Sequence, residues 1–338
     1  MSGGWATPAG LHTHGAELPV EGRLASLDGA TGWLNSEPLT PAGLQGKVVL
    51  VDFWTYTCVN WLRQLPYVRA WAERYAHHGL VVVGVHTPEF GFERDVDNIK
   101  AAVELRRITY PVAIDSRYGV WQAFDNHFWP ALYFADAQGR IRHHHYGEGE
   151  YEQSEMVLQQ LLVEAGYEPG RARVSVEPQG LEVAADWASL RTPETYTGYD
   201  RAEGFVSPEG LRPGKPNVYS VPGELRLNEW ALSGDWTIDG QPATLNTAGG
   251  SVAVRFQARD VNLVMGPAVR GTSLRYRVTI DGQPPGGAHG DDVDEAGNGT
   301  LTEQRLHQLV RQQARGTDRT VELTFLDPEA QVFCFTFG

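Results

Sequence analysis

Cysteine is scarce in this chain, which has only Cys58 and Cys334 among its 338 residues. Two cysteines exclude a fold held together by several disulfides, and they exclude a zinc site built from cysteine ligands. Long apolar runs are missing too, because the longest ones, Val48–Trp54 and Leu80–Val85, fall far short of the roughly 18 residues that a membrane helix needs. Residues 1–19 lack the apolar segment of a secretion signal, and we expect them to form a flexible tail.

Positive charge is also in short supply. The chain has 28 Lys and Arg against 42 Asp and Glu, which gives a net charge of −14 with neutral histidines. A phosphate backbone repels such a chain, so we expect no nucleic-acid partner. The length predicts about two domains at roughly 150 residues each. We therefore expect an acidic, soluble, cytoplasmic protein without a membrane span.

The first half of the chain, residues 20–167, alternates strand-like and helix-like patterns. Apolar residues spaced three and four apart predict amphipathic helices, and continuous apolar runs predict buried strands. Strands are predicted at 47–54, 80–85, 110–114 and in a hairpin at 131–146, and helices at 58–78, 95–107 and 150–165. Strands that alternate with helices indicate an α/β domain with a central sheet.

The second half has a different pattern. Residues 168–215 are rich in proline, glycine and polar side chains and are interpreted as a connector and lead-in. Residues 216–338 carry short strand-like runs about ten residues apart, with turn residues between them. This spacing is typical of a β-sandwich or jelly roll.

Several positions around residue 58 resemble the active-site region of thioredoxin-fold proteins. Asp52 lies six residues before Cys58, where thioredoxins keep a buried aspartate, and Cys58 stands between a predicted strand and a predicted helix. Pro66 falls where the active-site helix of that family is kinked. Trp129 and Pro130 precede a strand, as the family's cis-proline does.

Residues 20–166 as a whole resemble a TlpA-type redoxin domain. Three segments, Phe53–Cys58, Gly84–Glu89 and Gly147–Tyr151, resemble more narrowly the soluble redoxin part of DipZ-type proteins. That group also has a C-terminal β-sandwich similar to carbohydrate-binding modules, which would cover the residues after about 170. The resemblance thus implies an α/β thioredoxin fold followed by an all-β sandwich.

The chain departs from the family pattern at one position. The family motif is Cys-x-x-Cys, and here it is Cys58-Val59-Asn60-Trp61. The resolving cysteine is therefore absent, and an external thiol would have to resolve any sulfenic acid or mixed disulfide at Cys58.

Cys58 is the predicted nucleophile. The first N–H groups of a helix and its dipole favour a thiolate, so we expect the pKa of Cys58 to lie below that of a free cysteine. Asp52 lies in an apolar strand, so burial should raise its pKa and allow it to accept a proton. The alternatives are a buried structural cysteine, and a carboxylate that is hydrogen-bonded to water or to Lys47.

A substrate groove is predicted around the nucleophile. By the resemblance, we expect a cis bond between Trp129 and Pro130, whose backbone edge would lie beside Cys58. The predicted groove residues are Trp54, Tyr56, Trp61, Trp129 and Pro130.

Reduction of a peroxide is a second candidate reaction of the Cys58 thiol. Thr55 lies three residues before Cys58, which is the spacing that peroxiredoxins use to orient a peroxide, and Arg140 or Arg142 could supply the positive charge. A threonine that caps the loop is the simpler interpretation.

We expect no cofactor and no metal. His86 with His143–His145 could form a metal site, but three consecutive histidines on a strand are more typical of a solvated surface. Residues 292–303 overlay part of a calcium loop without a preceding helix. Strand alternation predicts that Cys334 faces away from Phe333 and Phe335, and a pair with Cys58 would require the sandwich edge to meet the active site.

The sequence therefore favours a single-cysteine thiol oxidoreductase. Its expected partners are protein or small-molecule thiols and disulfides, or a peroxide. The alternative is a redox-silent protein that uses the redoxin groove for binding and the sandwich for a glycan or a peptide. Reactivity of Cys58 distinguishes the two.

Overall fold

The computed structural model describes residues 17–313 and 317–338, so most of the predicted tail lies outside the described residues. The first half forms an α/β unit. Its strands are β1 Gly22–Arg23, β2 Gly32–Leu34, β3 Val48–Trp54, β4 Leu80–His86, β5 Val112–Ile114, β6 Ala131–Ala135 and β7 Arg140–Tyr146. Its helices are α1 Pro41–Leu44, α2 Val59–Tyr75, α3 Val96–Leu105, α4 Gly119–Ala123 and α5 Tyr151–Glu164.

These strands form one sheet in the order β1-β7-β6-β3-β4-β5-β2. Strands β3, β4 and β5 are parallel, and β6 is antiparallel to both β3 and β7. All seven residues of β3 are buried, because alternate side chains enter cores on the two faces of the sheet. Leu50 packs with residues of α2, α3 and α5, and Val51 packs with residues of α1 and α4. The predicted α/β thioredoxin fold is confirmed.

Helix α2 follows β3 after four residues, and Cys58 is its N-cap. It contains Pro66, as the resemblance implied, and ends at Tyr75, after which a short 3₁₀ turn leads to Gly79. No helix within the described ranges is long and apolar enough to cross a lipid bilayer.

The second half consists mainly of antiparallel strands. They are β8 Thr195–Tyr196, β9 Pro216–Tyr219, β10 Trp230–Ile238, β11 Ala243–Leu245, β12 Ser251–Phe256, β13 Asp260–Pro267, β14 Leu274–Ile280, β15 Asn298–Leu301, β16 Arg305–Arg311, β17 Arg319–Phe325 and β18 Ala330–Phe337. Strand β8 lies in the segment that the sequence presents as a connector, and it pairs with β18.

Strand β10 joins two layers of this antiparallel sheet. Its first residues pair with β12, and its last residues pair with β9 and β11. Gly234 begins the second stretch at φ +93°, a backbone region that favours glycine. The two layers enclose a separate apolar core, which is the sandwich-like arrangement that the sequence predicts.

A β-bulge in β18 brings the two domains into contact. Val264 pairs with Cys334 and Met265 pairs with Val332, so Phe333 is the extra residue. Phe333 and Cys334 therefore both pack in the redoxin core, whereas Phe335 packs inside the sandwich. The prediction that Cys334 faces away from both phenylalanines was right for Phe335 and wrong for Phe333, because the bulge interrupts the alternation.

Phe333 anchors this interface. Its ring centroid lies 5.3 Å from that of Phe90 and 4.8 Å from that of Phe92. Hydrogen bonds surround this aromatic cluster, for example from the Gly91 N–H to the Gln241 Oε1 at 2.8 Å. The sandwich edge thus meets the redoxin domain at the loops that follow β4.

We predict that Phe333→Ala lowers the free energy of unfolding by about 3–5 kcal/mol, because it leaves a cavity in the interface. The matched control is Phe128→Ala, since Phe128 is 49% exposed, and it should change stability by no more than roughly 0.5 kcal/mol. Urea denaturation followed by circular dichroism measures both values. Equal losses for the two variants would contradict the anchoring role of Phe333.

Candidate active site

The Cys58 thiol lies at the start of α2 and is half-buried. It donates a hydrogen bond to the Trp129 carbonyl oxygen, with an Sγ–O distance of 3.8 Å. The Trp129 indole N–H donates to the Thr87 carbonyl oxygen at 3.0 Å, which holds this loop against the end of β4. The bond between Trp129 and Pro130 is cis, as expected. The structure thus brings Cys58, Trp129 and Pro130 together as predicted.

Trp61 occupies the position of the missing cysteine, and it faces inward. Its ring stacks on Trp54 at a centroid distance of 4.3 Å and an interplanar angle of 19°. Its indole N–H donates to Asp52 Oδ2 at 3.2 Å. Both tryptophans are fully buried, so they lie behind the thiol. The expectation that Trp54 and Trp61 line a substrate groove was wrong, because the ring at position 61 fills the space under α2.

Asp52 is fully buried and in contact with Trp61. The Gln64 amide donates to Asp52 Oδ1 at 2.9 Å, so both carboxyl oxygens accept from side chains of α2 and not from Lys47. Burial raises the pKa of Asp52 to about 8, and the hydrogen bonds from Trp61 and Gln64 lower it only in part. The carboxyl group is therefore largely protonated at neutral pH.

The remaining predicted residues of this loop are also buried. Thr55 is fully buried, and its carbonyl oxygen accepts from the Cys58 N–H at 3.2 Å. Tyr56 stacks on His86 at a centroid distance of 5.6 Å and is nearly buried. Burial lowers the pKa of His86 to about 3, so this imidazole is neutral. Thr55 therefore offers no surface for substrate, and Tyr56 borders only a small pocket of about 60 Å³ beside α3.

The arginines considered for peroxide chemistry lie far from the thiol. Ile141, between Arg140 and Arg142, pairs with Ala135 of β6, which pairs with Val49 near the start of β3. Cys58 follows the other end of β3. Both arginines instead form ion pairs with Asp136.

No three His, Cys, Asp or Glu side chains of the described ranges form a metal-binding cluster. His144 Nδ1 lies 2.6 Å from Glu21 Oε2. In the loop at 292–303, Asp292 accepts from Arg305 at 2.6 Å and from the Gln308 N–H at 2.8 Å. Protein donors thus occupy both oxygens of this carboxylate.

A cleft of about 730 Å³ opens beside Cys58, between the two domains. Cys58 itself does not line the cleft, but its chain neighbour Val59 and its hydrogen-bond partner Trp129 do. The redoxin side is formed by Val59, Asn60, Arg63 and Trp129. The opposite side includes Trp187, Glu194, Tyr196, Asp200, Arg201 and Glu203.

Sequence reasoning missed this second wall. The residues come from the segment at 168–215, where no periodic pattern indicates which side chains approach the redoxin domain. The density of aromatic and charged residues between 187 and 203 is the one signal that the sequence offers.

The environment of the thiol opposes its ionisation. Burial raises the pKa of Cys58 well above its ordinary value, and the nearby Glu194 and Glu89 raise it further. The N–H groups of Trp61 and Asn60 lower it, as the helix argument anticipated, but they do not compensate for burial. The prediction of an acidic Cys58 was therefore wrong for the free protein.

Comparisons with known proteins agree with this architecture. The AhpC/TSA family matches residues 31–144, and the family described as "Thioredoxin like C-terminal domain" matches residues 192–338. Protein DipZ of Mycobacterium tuberculosis (strain CDC 1551 / Oshkosh) is 37% identical over 272 residues, which are 80% of this chain and 38% of DipZ. The chain thus spans well under half the length of that relative.

A shorter relative matches the redoxin domain along nearly its whole length. The thiol-disulfide oxidoreductase YkuV of Bacillus subtilis (strain 168) is 30% identical over 141 residues, which are 42% of this chain and 95% of YkuV. NHL repeat-containing protein 2 of Homo sapiens is 38% identical over 120 residues, which are 35% of this chain and 16% of that protein. Together with the fold and the position of Cys58, these matches show that the chain belongs to the thioredoxin-like AhpC/TSA redoxin family of thiol–disulfide oxidoreductases.

Proposed function

We propose that this chain carries out thiol–disulfide exchange at Cys58 as a single-cysteine oxidoreductase. The observation that carries the proposal is the position of the thiol at the start of α2, beside the Trp129 carbonyl and at the edge of an open cleft. A disulfide in the cleft would reach the Cys58 sulfur along the backbone of the loop that contains Trp129 and Pro130.

The exchange has two steps. The Cys58 thiolate attacks one sulfur of a substrate disulfide, an S–S bond forms, and the other half leaves as a thiolate that takes up a proton. Trp61 stands where the family has its second cysteine, so no thiol on α2 can resolve the mixed disulfide. An external thiol attacks it, restores Cys58 and leaves as a disulfide with the bound half of the substrate.

Asp52 acts as a positioning residue in this proposal. Its carboxyl oxygens hold Trp61 and Gln64, which lie one and two turns into α2, and thereby fix the helix that presents Cys58. The geometry favours disulfides over peroxides, because Arg140 and Arg142 lie at the far end of the sheet and Thr55 is buried.

One observation favours the second candidate, a redox-silent binding protein. The raised pKa of Cys58 keeps the thiol protonated in the free protein, and an inert thiol would suit a site that only binds. In that case the sandwich would bind a glycan or a peptide. The cytoplasmic location expected from the sequence also stays a prediction.

The reactivity of Cys58 against pH tests the electrostatic part of the proposal. In a Cys334→Ser background, the rate of alkylation should titrate above the free-thiol pKa of about 8.5. Glu194→Gln should lower this apparent pKa and speed alkylation at neutral pH, because one negative charge near the sulfur is removed. Iodoacetamide and intact-mass spectrometry measure both rates.

The control for this experiment is Glu224→Gln, which removes the same charge from a residue outside the cleft wall. Its profile should match that of the parent. A titration below about 8.5 in the parent, or identical profiles for Glu194→Gln and the parent, would refute the stated role of Glu194.

Trp61→Cys tests the likeness to dithiol redoxins. A residue at position 61 lies one turn along α2 from Cys58, so a thiol there should form a disulfide with it. The control is Trp61→Ser, which leaves a similar cavity without a thiol. Both variants should lose about 3–5 kcal/mol of stability, because the buried ring is removed.

Counting titratable thiols before and after oxidation separates the two variants. Folded Trp61→Cys should lose two thiols on mild oxidation, whereas Trp61→Ser should lose none without a substrate. If folded Trp61→Cys retains all three of its thiols, Cys334 included, the site does not have the geometry of a dithiol redoxin.

A further inference from the structure

We propose that the cleft between the two domains selects small disulfides that carry positive charge. This inference rests on the proposed exchange at Cys58 and names its substrate class. It follows from three features of the cleft, namely its walls, its charges and their effect on the thiol.

The walls suit a small molecule. The cleft of about 730 Å³ has the size of a ligand pocket. Trp129 on the redoxin side and Trp187 and Tyr196 on the opposite side give it aromatic surface. Trp187 is 53% exposed, although it is a large apolar side chain. Aromatic faces attract ammonium groups and pack against short methylene chains.

The positive charges of the cleft are already neutralised by partners. Arg63 NH1 lies 2.6 Å from Glu148 Oε1, and both side chains are almost fully buried. Arg201 NH1 lies 2.6 Å from Glu89 Oε1, and its guanidinium stacks on the ring of Tyr196. Neither arginine therefore presents a full positive charge to a ligand.

The wall of the cleft also contains three carboxylates. Glu194, Asp200 and Glu203 belong to its wall and are exposed to solvent within it. Burial and the nearby Glu89 raise the pKa of Glu194, and the hydrogen bond from the Tyr196 hydroxyl at 3.1 Å and the charge of Arg201 lower it only in part. With both arginines neutralised, the wall has a negative field beside Cys58. A cationic ligand is attracted by such a field, and an anionic one is repelled.

Binding of a cation would also remove an obstacle to the reaction. After burial, the carboxylates Glu194 and Glu89 are the groups that oppose ionisation of the Cys58 thiol. An ammonium group placed beside Glu194 would offset that charge at the moment when a disulfide is in reach. The sulfur would then be quiescent in the free protein and more acidic once the substrate is bound.

A matched set of small disulfides tests the inference. Cystamine carries two ammonium groups, hydroxyethyl disulfide is neutral, and dithiodipropionate carries two carboxylates on chains of the same length. The rate at which each forms a mixed disulfide with Cys58 is measured by intact-mass spectrometry in the Cys334→Ser background. Each rate is divided by that of the same disulfide with 2-mercaptoethanol, a neutral thiol, which removes intrinsic differences in reactivity.

We expect cystamine to react at least about tenfold faster than dithiodipropionate after this correction. Glu194→Gln should reduce the ratio by about threefold, and Glu203→Gln serves as a second variant if the first fails to fold. High salt should reduce it as well, because the carboxylates are accessible to solvent. Glu224→Gln, outside the cleft, should leave it unchanged.

The outcomes separate the inference from the function on which it rests. If all three disulfides react at equal corrected rates, or the anionic one is fastest, the charge selectivity is refuted while exchange at Cys58 stands. If none reacts with the folded protein, both are refuted.

Discussion

The contact between strand β18 and the redoxin domain determines the surroundings of Cys58. The bulge at Phe333 directs this ring toward Phe90 and Phe92. The same contact brings β8 and the segment before it to the mouth of the site, where Glu194 and Tyr196 face the start of α2.

Two effects then compete at the sulfur. The N–H groups of the first turn of α2 favour a thiolate, whereas burial and two carboxylates favour the thiol. Desolvation is the largest of these contributions, because the site lies where two domains meet. A local rule about helix N-termini is therefore outweighed by a contact between residues far apart in the sequence.

Trp61 changes the site in another way, because it replaces the second cysteine of the family motif. Its substitution for the second cysteine does not leave Asp52 without a partner, because the indole N–H occupies one carboxyl oxygen and Gln64 the other. The stack on Trp54 fills the remaining space. In the proposed exchange, the buried carboxyl group therefore acts as a positioning residue for α2.

Local pattern was sufficient to predict most of the redoxin domain. The strand at Val48–Trp54, the helix after Cys58 and the hairpin at 131–146 all have short-range signals, and the structure contains each of them. The cis bond at Pro130 was expected from the family resemblance and not from local pattern, and the structure contains it as well. The inward orientation of Trp61 was not predictable in this way, because an aromatic residue suits a groove as well as a core. The cleft wall at 187–203 and the bulge at Phe333 depend on tertiary contacts that leave no periodic trace in the sequence.

Strand β18 has one side in each of the two apolar cores. Cys334 packs with the redoxin residues, and its neighbour Phe335 packs inside the sandwich. A redoxin fragment cut from this chain would therefore present Phe90 and Phe92 to water, and a sandwich fragment would present Phe333. Exposed aromatic patches of this kind promote association between molecules. A cut between the two domains of this chain would therefore expose apolar surface on both fragments.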